Sequence, residues 1–371
     1  MEYKTLKDIG DIKGKRILVR FDFNVPVQNG AVVDDFRIRK AIPTLDFLVK
    51  GGARIGIIAH IEGESDSLKP VYEVLKKTHP VEFCEDCVEE GKDKLAALPE
   101  GRIILFENLR LYDGEKKNDP DFVEKLASIG ELYVNDAFSV SHRKHASVVG
   151  VPAFLPGYLG FQFEEEVENL TKCFNPPHPF LFILGGAKFD TKLPLVEKFL
   201  PIADTIFIGG ALANDLFKAK GFNVGTSLVS KSDINLSGYA VDQKIMLPAD
   251  VVAVSETGTA EKQPNELSDN EAMLDVGEMT LVQLQEKIKA AKCILWNGPL
   301  GNYEKGYKEP TLRLARMISE SDALTVVGGG DTLAAIMDLK IEDKFSFVST
   351  GGGAMLDFLG AGTLPGLQAL K

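Results

Sequence analysis

Four arginines in the first half of the chain follow or adjoin short apolar runs: Arg20 with Asp22 and Asn24 in VRFDFNVP, Arg37 in DDFRIR, Arg110 in FENLR and Arg143 in SHRKHAS. A guanidinium is planar and always charged, and its fork of N–H groups matches a carboxylate or a phosphate two bonds at a time. Each alone reads as a surface salt bridge. Together they describe a pocket for a small acid that carries both kinds of anion. His60, His142 and His145 lie close to these segments. Their spacing does not suit a metal, and each is equally suited to hydrogen bonding a substrate or the backbone.

The second half repeats a different device. Glycines follow one apolar run after another: Gly185-Gly186, Gly209-Gly210, Gly298, Gly328 to Gly330 and Gly351 to Gly353. If those runs are parallel strands, all five groups share the edge where such sheets bind ligands. A single pair is an ordinary strand-to-helix turn, whereas five on one edge can form an anion nest of backbone N–H groups. Lys188 and Lys192 stand in GGAKFDTK, where a helix should begin and a cation is disfavoured unless solvent or an anion meets it. Asp331, in GGGDT, suits either a helix cap or a ligand to a nucleotide's magnesium ion. These residues fit phosphoryl transfer, which demands positioning and charge neutralisation. There is no GxxxxGK[ST] loop, no GxGxxG after the first strand and no GxSxG elbow, which argues against P-loop, dinucleotide-binding and serine-hydrolase readings.

The elements that must hold these groups are strands alternating with helices. Expected strands are 17–21, 54–59, 102–106 and 131–134, then 180–184, 205–208, 250–254, 293–296, 324–327 and 345–348; RKAIPTLDFLVK and PVYEVLKK read as crossover helices. Around 150–179 the alternation pauses at a Pro- and Gly-rich stretch enclosing one acidic amphipathic helix, so two α/β halves joined by a helical hinge are expected. A length of 371 residues accommodates two domains. The net charge of −12 disfavours a general nucleic-acid binder. No stretch approaches the roughly 20 apolar residues of a membrane span, so a cytoplasmic location is expected. Cys84 and Cys87 form a lone CxxC with no second pair to complete a zinc site, and read as ordinary reduced thiols.

The stretches VRFDFNVP, DDFRIR, ENLRLYDGEKKN, NDAF, HRKHAS, LGGAKFDTK, IGGALAN, LPADVV, WNGPLGNYE, VGGGDT and STGGGA resemble, as a set, phosphoglycerate kinase, from about Lys13 to the C-terminus. The resemblance implies two Rossmann-like, three-layer α/β domains with mainly parallel sheets. Residues 1–163 would bind 3-phosphoglycerate or 1,3-bisphosphoglycerate, 164–176 would form the hinge helix, and 177–357 would bind MgADP or MgATP. A tail of about 358–371 would pack back on the first domain, and the enzyme would be monomeric. By motif, Asp22, Asn24, Arg37, His60, Arg110 and Arg143 would hold the acid. Gly186, Ala187, Lys188, Lys192, Gly210, Asn297, Glu304, Gly329, Gly330, Asp331 and Thr332 would contact nucleotide, with Asp331 engaging Mg2+. Arg37, Lys188 and the amides of Gly330 and Gly352 would neutralise the transferring phosphoryl group.

One departure stands out. Where the family reads HLGRP after the second strand, this chain reads His60-Ile61-Glu62-Gly63-Glu64. A carboxylate facing the acid's phosphate at about 4 Å would cost on the order of 4 kcal/mol at an effective dielectric near 20. Either the loop points outward, or Lys69 or another cation compensates, or the acid binds more weakly. The alternatives to an active phosphoglycerate kinase are a nucleotide-binding homologue without turnover and a kinase of a different small carboxylic acid. The segment between GTSLVS and LPADVV is also short for the family.

Overall fold

The computed structural model describes residues 3–187, 189–231 and 234–371. The chain divides into two compact units, Met1–Glu168 with Ala361–Lys371, and Asn169–Gly360. Each is built on a six-stranded sheet whose pairings are all parallel.

In the first unit the strands run, from one edge to the other, Val81–Cys84, Ile103–Phe106, Arg54–Ile58, Arg16–Phe21, Leu132–Asp136 and Gly157–Leu159. In the second they run Ile245–Met246, Thr205–Ile208, Phe180–Leu184, Cys293–Asn297, Leu324–Gly328 and Phe347–Ser349. Central strands such as Leu132–Asp136, Phe180–Leu184 and Cys293–Asn297 are buried at every position, as expected where helices cover both faces. Their sequences are accordingly continuous apolar runs.

In both sheets the chain starts in the middle, winds towards one edge, then returns to fill the other. The reversal falls between Arg16–Phe21 and Leu132–Asp136 in one unit, and between Phe180–Leu184 and Cys293–Asn297 in the other. Loops leaving two such strands part to opposite faces and open a crevice beyond their carboxyl ends. Asp22 and Asn24 follow the first of these strands, and Gly185, Gly186 and Gly298 follow the second pair.

The helices match their amphipathic patterns: Phe36–Lys50 covers RKAIPTLDFLVK, and Lys69–Leu75 covers most of PVYEVLKK. The acidic helix spans Phe161–Lys172, and the boundary between units falls within it. Its first turn is anchored by Thr44 Oγ1 on Phe161 N and by Asp136 Oδ1 on Phe163 N, each at 2.9 Å. The last residues belong to the first unit, where Gly366 N donates to Ser141 O at 2.8 Å and Leu367 is fully buried.

One expected strand has a different place. Val251–Ser255 pairs antiparallel with Gly258–Lys262 and Ala272–Val276 in a separate three-stranded sheet. A two-residue connection, Glu256-Thr257, permits only an antiparallel return, and the alternating burial of Val251–Ser255 is that of a strand covered on one face. Between GTSLVS and LPADVV the described residues hold one short helix, Ser237–Ala240.

Candidate functional site

The basic cluster of the first unit is organised around His60. The imidazole is 2% exposed, and burial first, then the charges of Arg20, Arg110, Arg143 and Arg37, push its pKa far down. It is neutral at any physiological pH. Arg20 Nη2 lies 3.1 Å from its Nδ1. Because arginine can only donate, Nδ1 accepts and the ring proton sits on Nε2. His60 therefore offers a hydrogen-bond donor and no charge.

Arg20 is itself fully buried. Its Nε donates to Ser147 Oγ at 3.0 Å, and Ser147 in turn donates from N and Oγ to the buried carboxylate of Glu115 at 2.9 and 2.6 Å. An ion pair relayed through a serine thus underlies the cluster. Arg37 Nη1 lies 2.8 Å from Asp22 Oδ2 and 3.2 Å from Asn24 O, while Asp22 also accepts from Ser139 Oγ and Asn24 N. Asp22 is consequently placed to orient Arg37.

Arg110 is the most exposed to consequence. Its side chain is only 6% exposed, Nη1 meets His145 Nδ1 at 3.1 Å, and Nε and Nη2 are buried without a hydrogen-bond partner among the described residues. Nε does lie 3.1 Å from Glu62 Oε1. That is a charge contact in which the oxygen is off the N–H direction, so the donor stays unanswered. Burial and Arg110 together lower the pKa of His145 to about 4, leaving it neutral too. Arg143 Nε reaches His142 Nε2 at 3.4 Å. Lys69, a candidate to compensate the two glutamates, instead pairs with Glu85 at 2.9 Å.

The glycine edge of the second unit borders a cavity of about 280 Å³. Its lining includes Gly186, Ala187, Gly210, Leu228, Met273, Asp275, Glu304 and Asp331, so apolar and polar walls meet. Most of these glycines have a structural reason for being there. Gly185 N donates to Asn297 O at 2.8 Å, Gly186 N to Pro299 O at 3.0 Å and Gly210 N to Leu300 O at 3.0 Å. A Cβ on Gly185 would stand 2.0 Å from Pro299 O, and one on Gly298 would stand 2.4 Å from Gly185 O. The strand ends interlock backbone to backbone. Gly330 and Gly352 differ, since nothing lies within 4 Å of where their Cβ would be. They open the starts of helices Gly330–Leu339 and Gly353–Ala361, whose dipoles favour an anion.

Polar side chains brace that edge. Lys192, 8% exposed, donates from Nζ to Asn297 Oδ1, and burial lowers its pKa to about 8. Asn297 Nδ2 donates to Gly328 O at 2.9 Å, and the Thr332 hydroxyl accepts from Gly298 N at 2.9 Å. Asp331 is half-buried with no hydrogen bond or ion pair to a described residue, and burial followed by the charge of Glu304 raises its pKa. A carboxylate so placed calls for a cation. Lys188 lies outside the described residues.

Among the described residues no group of three or more His, Cys, Asp or Glu is arranged to hold a metal by itself. Asp331 fits Mg2+ nonetheless, because that ion is commonly held by one or two carboxylates and the phosphates of a nucleotide. Cys84 and Cys87 are unbridged and buried, and burial raises both thiols, Cys87 to about 12. Four participants escaped the sequence: Glu115 and Ser147 beneath Arg20, Ser139 on Asp22, and Asp275, buried in the cavity wall with a carboxyl raised by burial to about 7. Only tertiary burial separates them from solvated neighbours.

A switch-point crevice of arginines in one α/β unit, and in the other a glycine-edged cavity with a carboxylate that has no partner among the described residues, define a two-unit α/β kinase. Residues 6–361 match the family described as phosphoglycerate kinase. The chain is 39% identical to phosphoglycerate kinase of Dictyoglomus turgidum and 38% identical to that of Borrelia garinii, covering all of both chains in each case. The structure of phosphoglycerate kinase from Coxiella burnetii is similar at a TM-score of 0.87 and 32% identity, over 100% of this chain and 99% of that one. The crystal structure from Pyrococcus horikoshii is similar at 0.85 and 28% identity, over 99% and 98%. This chain belongs to the phosphoglycerate kinase family, glycolytic phosphotransferases with a carboxyl group as acceptor. Family membership implies phosphoglycerate and nucleotide substrates. No described helix is long and apolar enough to cross a membrane.

Proposed function

We propose that the arginine cluster binds 3-phosphoglycerate or 1,3-bisphosphoglycerate, and that the glycine-edged cavity binds ADP or ATP with Mg2+. The observation that carries this reading is Arg110, whose buried Nε and Nη2 have no hydrogen-bond partner among the described residues, beside a neutral, donating His60. Buried donors are rarely left unmet without a ligand to meet them. Arg37, oriented by Asp22 and Asn24, and Arg143 complete the acid site. Gly186, Ala187 and Gly210 border the base, Glu304 meets the ribose hydroxyls, and Lys192, Asn297, Gly329 and Thr332 support the phosphate side.

The acid's carboxylate is ionised near neutral pH and needs no general base. It attacks the terminal phosphorus of ATP in line, the bond to the ADP oxygen breaks, and the acyl phosphate forms; the reverse reaction returns the phosphoryl group to ADP. Arg37, Lys188 and the amides of Gly330 and Gly352 offset charge on the transferring group. Bound at Asp331, Mg2+ supplies further neutralisation of the nucleotide phosphates. Because the two substrates are assigned to different units, transfer includes a closing step, for which the Phe161–Lys172 helix is the connecting element. Closure also keeps water from the acyl phosphate. The enzyme acts as a monomer, which light scattering tests.

A coupled assay with 3-phosphoglycerate, MgATP and glyceraldehyde-3-phosphate dehydrogenase tests the assignment. Turnover is expected in the intact protein, and a loss of about a hundredfold or more in kcat for Arg37→Ala and for Lys188→Ala. An intact protein that binds MgATP and does not turn over would sink it.

A further inference from the structure

We propose that Glu62 sets the affinity and selectivity of the acid site by competing with the substrate's anionic groups for Arg110. The inference rests on the reading above that Arg110 holds the acid. It starts from the one place where this chain puts two carboxylates, Glu62 and Glu64, in the loop after its second strand.

That loop is fixed rather than loose. Glu62 N donates to Asn24 Oδ1 at 2.9 Å, and Asn108 grips Ile61 from both sides, accepting from its N at 3.2 Å and donating to its O at 2.9 Å. Held so, the Glu62 carboxylate lies 3.1 Å from Arg110 Nε, with its own side chain 47% exposed. Glu64 is exposed and has no partner among the described residues.

An exposed carboxylate over a buried, under-satisfied guanidinium neutralises it partly and can be displaced. A ligand with one anionic group must compete with Glu62 for a single arginine. A phosphorylated carboxylic acid also engages the other cations of the cluster, so it wins that competition through multiple contacts. Glu62 thereby lowers affinity for every anion and rejects small ones, such as inorganic phosphate, most effectively.

The test compares Glu62→Gln, Glu64→Gln and Arg110→Ala with the intact enzyme, using steady-state kinetics, calorimetric binding of 3-phosphoglycerate and competitive inhibition by inorganic phosphate. Glu62→Gln is expected to lower both Kd and KM for 3-phosphoglycerate by roughly fivefold, with the change falling on KM rather than kcat, and to strengthen phosphate inhibition by more. Glu64→Gln, which removes the same charge from the same loop without the ion pair, is expected to leave these values within twofold. If Arg110→Ala weakens binding and Glu62→Gln leaves it unchanged or weaker, Glu62 is not a competitor and the proposal is overturned, while the acid-site assignment stands. If Arg110→Ala leaves Kd unchanged, the assignment itself fails. Equal gains from both glutamine variants would also overturn it, by showing a general effect of loop charge.

Discussion

At the residue scale, protonation states decide what the site can do. His60 sits amid arginines, and the Arg20 contact at Nδ1 fixes its proton on Nε2. An imidazole in that state can donate one hydrogen bond to an anion and carries no charge. Lys192 is the titrating counterpart: burial brings its pKa from 10.5 to about 8, so near pH 8 it is partly neutral in the free protein. A phosphate nearby favours the charged form and raises the pKa. Nucleotide binding is therefore expected to take up protons around pH 8 to 9, and little at pH 6, where Lys192 is already charged. Calorimetry of ADP binding in two buffers of different ionisation enthalpy measures the uptake. Lys192→Met should abolish it, and an uptake that survives the substitution would place Lys192 away from the phosphates.

At the element scale, interlocked backbones hold the sites in place. The contacts between Gly185, Gly298 and Pro299 bind the ends of two central strands, which accounts for glycines that sequence reasoning assigned to ligand approach. At Gly330 and Gly352 the space where a Cβ would stand is open, which is compatible with the close approach of a ligand. The C-terminal helix Pro365–Gln368 plays a similar bracing part in the first unit. Gly366 donates to Ser141 two residues before Arg143, and Leu367 and Leu370 are buried. Deleting residues 365–371 is expected to cost about 3 kcal/mol or more through the lost leucine burial. It should also raise KM for 3-phosphoglycerate, because the loop carrying Arg143 loses its brace. Thermal unfolding and kinetics separate these effects; a lowered Tm with an unchanged KM would make the tail a plug only.

At the scale of the whole molecule, the chain is two units with separate cores and unequal continuity. The second is one uninterrupted segment, Asn169–Gly360, whereas the first needs both ends of the chain. A fragment of residues 169–360 is expected to fold cooperatively and to gain roughly 2.7 kcal/mol of stability from MgADP at a hundred times its Kd. Denaturant melts with and without nucleotide check this. A fragment that folds and shows no gain would mean that the nucleotide site is incomplete within the second unit. The acidic whole, at −12, makes the convergent arginines a local exception, and a cleft of one charge sign focuses its field on an anion.

The sequence by itself determined the central strands of both parallel sheets and helices such as Phe36–Lys50, because apolar runs and amphipathic spacing are properties of neighbouring residues; the short edge strands Val81–Cys84, Gly157–Leu159 and Ile245–Met246 were not among those expected. It also determined which loops carry arginine and which carry glycine, and hence the two kinds of anion site proposed above. Only tertiary structure decided the rest. The antiparallel pairing of Val251–Ser255 depended on a two-residue turn, and the double use of glycine depended on which strand ends touch. Glu115, Ser147 and Asp275 became part of the sites through burial, and no local pattern separates a buried carboxylate from a solvated one. The direction in which Glu62 faces belongs to the same class: Asn24 and Asn108, far apart along the chain, fix it on Arg110 by converging on one loop.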